Sequence, residues 1–155
     1  MSEKKSYLKP TIVRHSVGVT NKFGRPPITV PQDRIEGLTI GELTNLHGSP
    51  LYVLSVEQLR NQYRDMDRAF KTRYPRTQIA YSYKTNYLKS VCSILHQEGA
   101  WAEVVSGFEY DIARDLKIPG EKIIFNGPYK SHEDLIRAFN NDSMINVDNY
   151  DEIQV

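Results

Sequence analysis

The sequence has one cysteine, Cys92, no excess of charge of either sign and no long apolar run. A single thiol permits no internal disulfide, which excludes a small disulfide-stapled scaffold. Twenty Lys and Arg stand against 19 Asp and Glu, and the basic residues are spread along the chain rather than gathered in a block. Such a balance supplies no general field for a nucleic-acid backbone or an anionic membrane surface, so neither is expected as a partner. No apolar stretch approaches the roughly 20 residues of a spanning helix. The opening MSEKKSYLKP is charged with no apolar region behind it, so the expected location is the cytoplasm. His15, His47, His96 and His132 are too scattered for a local zinc site, and no metal is expected. Ten tyrosines are present but dispersed, which gives no support to a stacking platform for bases.

What is there is 155 residues, 39% of them apolar, the composition of an ordinary globular protein of about one domain. Residues 1–37 stand apart. Turn residues at Asn21 and Gly24 and prolines at Pro26, Pro27 and Pro31 suit an extended or hairpin-forming arm. From residue 39 the punctuation becomes regular. TIGE (Thr39 to Glu42), SVEQ (Ser55 to Gln58) and SGFE (Ser106 to Glu109) each place a hydroxyl three residues before Glu or Gln, and SHED at 131–134 is a weaker version. That spacing lets hydroxyl and carboxylate satisfy the free amides of a helix's first turn.

Short strand-like stretches precede most of these openings. We expect strands at 51–54, 78–83, 101–105, 122–126 and 144–147, the last four starting about 22 residues apart, enough for a strand, a short helix and two tight loops. Between them Val56, Leu59, Tyr63, Met66 and Phe70 form one stripe at helical spacing, and Leu88, Val91, Cys92 and Leu95 another. Repeated β/α units build a parallel sheet, open or closed into a barrel. The continuously apolar KIIF at 122–125 favours a strand covered on both faces. A closed barrel needs eight units and about 250 residues, so 38–155 reads as the first half of a parallel (β/α)8 barrel, with an open sheet as the alternative.

Side chains at the C-terminal ends of barrel strands share one mouth, where chemistry collects. Lys84 ends the strand-like AYSYK. A lysine desolvated there, or set beside another cation, becomes an amine nucleophile toward carbonyl compounds, most often pyridoxal phosphate.

The segment YSYKTNYLKSVCSILHQEG resembles the cofactor-lysine segment of the fold-type III pyridoxal-phosphate decarboxylases, the diaminopimelate, ornithine and arginine group. Tyr81, Lys84, Asn86 and Gly99 fall on the family's aromatic, lysine, asparagine and helix-ending glycine. The likeness runs on through SPLYVLSVEQLRNQYRDMDRAF, AEVVSGFEYDIA (the family's DVxSxGE), IIFNGPYKSHEDL (its HGNxKS) and INVDNYDEI, covering about 38–155. Departures are Ser82, Thr85, Cys92, Phe108 for a second glycine, and Asn126 for a frequent histidine. Glu103 stands where the family has an aspartate near lysine and cofactor.

The resemblance implies an alanine-racemase-like barrel and an amino-acid decarboxylase with pyridoxal 5'-phosphate as cofactor, held as an aldimine on Lys84 with Glu103 beside it. It also implies a homodimer of the full-length protein. The family's phosphate loop, the acid on the pyridine nitrogen, the group stacked on the ring and a C-terminal β-domain would lie beyond Val155. The isolated chain is then expected to have an incomplete site, open sheet edges and a tendency to associate. A racemase of the same fold, another decarboxylase of the group and a non-catalytic homologue stay open.

Other polar residues have plainer expected roles. Cys92 is core packing, Glu109 the second half of a capping box, and His96 an exposed group or a partner of its helix dipole. Lys130 is expected to be a solvated loop lysine. Asp148, Asp151 and Glu152 read as a strand end and an acidic first helical turn rather than a metal site.

Overall fold

The computed structural model describes residues 33–154. The arm expected over 1–37, with its turn at Asn21 and Gly24, lies almost wholly outside the described residues. Two compact units divide between Leu51 and Tyr52.

The described residues of the first unit open with an antiparallel hairpin of β1 (Arg34–Ile35) and β2 (Leu38–Thr39). Glu36 and Gly37 turn it with φ of 48° and 87°, the left-handed pair that a two-residue hairpin loop requires. The expected arm boundary at residue 37 thus falls inside a turn. Helix α1 (Ile40–His47) follows directly. The Thr39 hydroxyl accepts the Glu42 amide at 3.1 Å, and the Glu42 carboxylate accepts the Thr39 amide and hydroxyl at 2.7 Å each. This is the reciprocal box that TIGE foretells, and the Thr39 amide and hydroxyl hold the Glu42 carboxyl below its ordinary range.

In the second unit four strands run parallel in chain order: β3 (Ala80–Ser82), β4 (Trp101–Val104), β5 (Ile123–Phe125) and β6 (Met144–Ile145). They alternate with α2 (Val56–Lys71), α3 (Lys89–Gln97), α4 (Gly107–Asp115) and α5 (His132–Asn140). Ser55, Ser106 and Ser131 each accept the amide three residues on, so the caps read from sequence start three of these helices. Glu109 reaches back to the amide of Val105 at 2.8 Å, one residue before the cap. It closes the junction between β4 and α4 rather than the cap itself.

The strand expected at 51–54 is absent. Residues 52–54 join no ladder among the described residues, and Tyr52 is 99% exposed. An apolar, β-prone tetrapeptide becomes a strand only where a partner offers free backbone groups, and the ladder of β3 is made with β4 alone.

Period-two alternation separates the two faces of the sheet. Ala102, Val104, Ile123 and Phe125 point to one face and are fully buried, joined there by Tyr83, Cys92, Tyr110, Ala113 and Ala138. Tyr110 stacks on Phe125 with ring centres 5.5 Å apart, and the Arg137 guanidinium lies 4.9 Å from the Tyr110 ring centre. On the opposite face Ser82, Trp101, Glu103 and Ile124 are only half-buried. KIIF therefore has one covered face and one partly open.

Helix α2 packs through Leu59 and Tyr63 against Val91, Leu95 and Ala100. Arg60 and Arg64, one turn apart, both bond the Glu98 carboxylate that ends α3, Arg64 through Nε at 2.5 Å and Nη2 at 2.9 Å. The two guanidiniums hold that carboxyl below its ordinary range. The rest of the predicted stripe, Val56, Met66 and Phe70, is exposed.

Gly120, just before β5, lies close against backbone: a Cβ there would sit 1.5 Å from the Asn141 carbonyl oxygen. Gly120→Ala is expected to lower stability by about 1–3 kcal/mol, since neither backbone segment can give way freely. The shift of the urea midpoint at unchanged slope measures it.

Candidate active site

Parallel pairing sets Ser82 beside Glu103 and Glu103 beside Ile124. Lys84 follows Ser82 by two residues, just past the end of β3, so the two residues singled out from sequence arrive at the same edge of the sheet on adjacent strands. Asn126, two residues past Ile124, joins them: its Nδ2 donates to Glu103 Oε1 at 3.1 Å. The Ser82 Oγ is buried with no hydrogen-bond partner.

The turn that carries Lys84 is fixed on every side. Tyr83, Lys84 and Thr85 form one 3₁₀ turn in which Tyr83 is fully buried and Lys84 exposed. The Tyr83 hydroxyl meets His96 Nε2 at 2.6 Å, and His96 Nδ1 lies 2.7 Å from the Ala100 carbonyl oxygen. A neutral ring donating from Nδ1 and accepting at Nε2 satisfies both contacts. His96 is therefore a half-buried latch rather than an exposed dipole partner, and burial pulls its pKa down. Burial likewise pushes the Tyr83 hydroxyl far above its ordinary range, so it holds its proton.

Beyond the lysine, the Thr85 hydroxyl donates to the Ser82 carbonyl at 2.7 Å. The Tyr81 hydroxyl donates to the Asn86 carbonyl at 3.1 Å, and the Cys92 thiol lies 3.8 Å from the same oxygen. Asn86 Oδ1 accepts the Leu88 amide at 3.1 Å, opening the way into α3. Cys92 is wholly buried, with its pKa pushed up to about 11 by that burial, and is core as expected. Lys84 itself makes no hydrogen bond or ion pair among the described residues. A rigid turn presenting a free amine at the strand edge is suited to a covalent bond with a carbonyl group.

A correction concerns Lys130. It is buried rather than solvated: its Nζ donates to the Gly127 carbonyl at 2.7 Å and pairs with Glu152 at 3.0 Å, with side-chain exposures of 0% and 5%. Burial alone would raise the Glu152 carboxyl. The Asp148 amide and the Lys130 ammonium outweigh it and hold the group below its ordinary range. The pair fastens the loop after β5 to the segment after β6, on the same edge as Lys84. No sequence signal links Lys130 and Glu152, and Asn126 stands out in sequence only as a departure from a frequent histidine; its place two residues past Ile124, the register partner of Glu103, puts it on the same face.

The sequence pattern of the family described as pyridoxal-dependent decarboxylase, pyridoxal binding domain, matches residues 56–155. The chain belongs to the pyridoxal-dependent decarboxylase family. The cofactor that goes with this domain is pyridoxal phosphate. Among its relatives, the chain is 39% identical over 121 residues to the diaminopimelate decarboxylase of Methanocaldococcus jannaschii, covering 71% of this chain and 28% of that protein. It is 32% identical over 122 residues to the diaminopimelate decarboxylase of Aquifex aeolicus, covering 78% and 28%. The crystal structure of the M. jannaschii decarboxylase with L-lysine superposes with a TM-score of 0.65 at 34% identity, over 74% of this chain and 27% of that one. The chain thus spans little more than a quarter of the length of these relatives. The parallel sheet is that of the family's β/α barrel domain, as the resemblance implied.

Replacing Lys130 by Met is expected to lower the urea midpoint clearly, because it leaves the Glu152 carboxylate buried without its cation. Lys130→Met with Glu152→Leu is expected to recover most of the loss, and equilibrium unfolding of the two variants compares them directly.

Proposed function

We propose that the polypeptide of the intact gene is a pyridoxal-phosphate-dependent decarboxylase of the diaminopimelate type. Its reaction removes carbon dioxide from an amino acid to yield lysine. The observation that carries the reading is the pinned turn with an exposed, unpartnered Lys84 at the strand edge. The relatives named diaminopimelate decarboxylase support the substrate class. The reading carries with it a homodimer, as the resemblance implies, and the cytoplasmic location expected from the charged opening of the sequence. Among the described residues no helix is long and apolar enough to cross a membrane.

The residues present fit the cofactor. A half-buried Glu103 and an orphaned Ser82 hydroxyl on the partly open face are polar groups that a bound molecule would satisfy, and they lie at the same edge of the sheet as the exposed Lys84. Lys84 and Glu103 are the residues that would hold it. When bound, pyridoxal phosphate supplies an electron sink for the pair left behind as the carboxylate departs.

The chain's own part is positioning and proton handling. Lys84 Nζ would be the cofactor's attachment point and, when free of it, would be placed to donate a proton to the carbon that has lost its carboxylate. The Glu103 carboxylate sets a negative charge beside the cationic nitrogens that gather there, and favours their protonated forms. The Tyr83–His96 latch and the bonds to the Asn86 carbonyl keep the Lys84 backbone from moving as its side chain swings, so the amine returns to one place. The assignment of residues 38–155 to the barrel and of 1–37 to an arm is part of this proposal.

The test is carbon dioxide release from meso-diaminopimelate by the intact-gene polypeptide, with ornithine, arginine and lysine as competing substrates. Lys84→Ala is expected to lose activity by about a thousand-fold or more. Undiminished activity in that variant would contradict the role of Lys84, and turnover of ornithine in preference to diaminopimelate would contradict the substrate class.

A further inference from the structure

Asn126 does more than continue the ladder past β5. Its backbone amide donates to the Val104 carbonyl at 2.8 Å, which fixes its Cα beside the end of β4. Gly127 behind it has φ of 102°, and a Cβ there would come within 2.8 Å of the Val105 carbonyl oxygen just past β4, so the turn is one that glycine suits. With its backbone so held, the Asn126 side chain reaches across the strand boundary to Glu103 Oε1 at 3.1 Å.

We propose that Asn126 is the positioning residue of this site: its amide sets the direction of the Glu103 carboxylate, and through it the charge presented to Lys84. This rests on the reading of Lys84 and Glu103 given above. A glutamate on a half-open face has three side-chain torsions to lose, and a single anchored donor removes that freedom. The donor is neutral, so it orients the carboxylate without cancelling its charge, as an ammonium or guanidinium in the same place would. On the other flank the Ser82 hydroxyl makes no hydrogen bond, so nothing there competes for Glu103. Asn126 touches no reacting atom in this scheme and acts entirely through the carboxylate.

A double-mutant cycle on the intact-gene polypeptide loaded with pyridoxal phosphate tests it. The parent, Asn126→Leu, Glu103→Gln and the double variant are titrated with pH, reading the midpoint of the absorbance change of the bound pyridoxal. Asn126→Ser runs alongside as the milder replacement. Asn126→Leu and Asn126→Ser are each expected to lower the midpoint by about half a pH unit or more, because the negative charge that favours the protonated nitrogen is no longer aimed. In the Glu103→Gln background, where that charge is gone, Asn126→Leu is expected to produce no further shift.

An unchanged midpoint in both Asn126 variants, or an equal shift in both Glu103 backgrounds, would overturn the inference while leaving the function standing. Absence of a Lys84-dependent band from the parent would overturn both.

Discussion

Strands that all run one way deliver their C-terminal ends to one edge of the sheet. In this chain that single constraint brings together residues that lie far apart in sequence. Lys84, Glu103, Asn126 and the Lys130–Glu152 pair come from four successive β/α units, yet each sits at or just past a strand end. Parallel pairing forces the arrangement, because Ser82 beside Glu103 and Glu103 beside Ile124 leave no other edge for the following loops. The fold's chemistry is therefore a consequence of its direction more than of any one motif.

Rigidity and exposure are divided within a few residues. Tyr83 is anchored in the core and tied to His96, while the next residue is free at the surface. Thr85, Asn86 and Cys92 each spend a hydrogen-bonding group on holding that turn. A nucleophile on such a base loses little orientation between reactive events, which is how a small site keeps its geometry without a large core around it. The Lys130–Glu152 pair has a different character. Buried and joined to the Gly127 carbonyl, it fixes one loop to the next and brings no free charge to the mouth.

Much of this was legible in the sequence because local signals are strong. Thr39, Ser55, Ser106 and Ser131 announce helix starts through the chemistry of their hydroxyls, and the recurrence of short strand-like stretches at 101–105, 122–126 and 144–147 places the parallel strands within a residue or two. Lys84 and Glu103 were named on a resemblance that several ordered segments supported. What escaped was what depends on a partner distant in sequence. Leu-Tyr-Val-Leu at 51–54 has the propensity of a strand and finds no ladder. Lys130 looked solvated because its counter-charge, Glu152, is 22 residues away in a different loop. His96 was assigned to its own helix, since nothing local reveals that Tyr83 comes to meet it across the β3–α3 unit. Propensity is readable from neighbours, whereas pairing is not.

The central claim is that Lys84, and no other lysine, carries the cofactor. The most direct measurement is reduction of the intact-gene polypeptide with borohydride after incubation with pyridoxal phosphate, followed by peptide mapping by mass spectrometry. The account predicts a pyridoxyl group on Lys84 in the segment AYSYKTN. The same group on Lys89 or Lys130, with Lys84 unmodified, would contradict it.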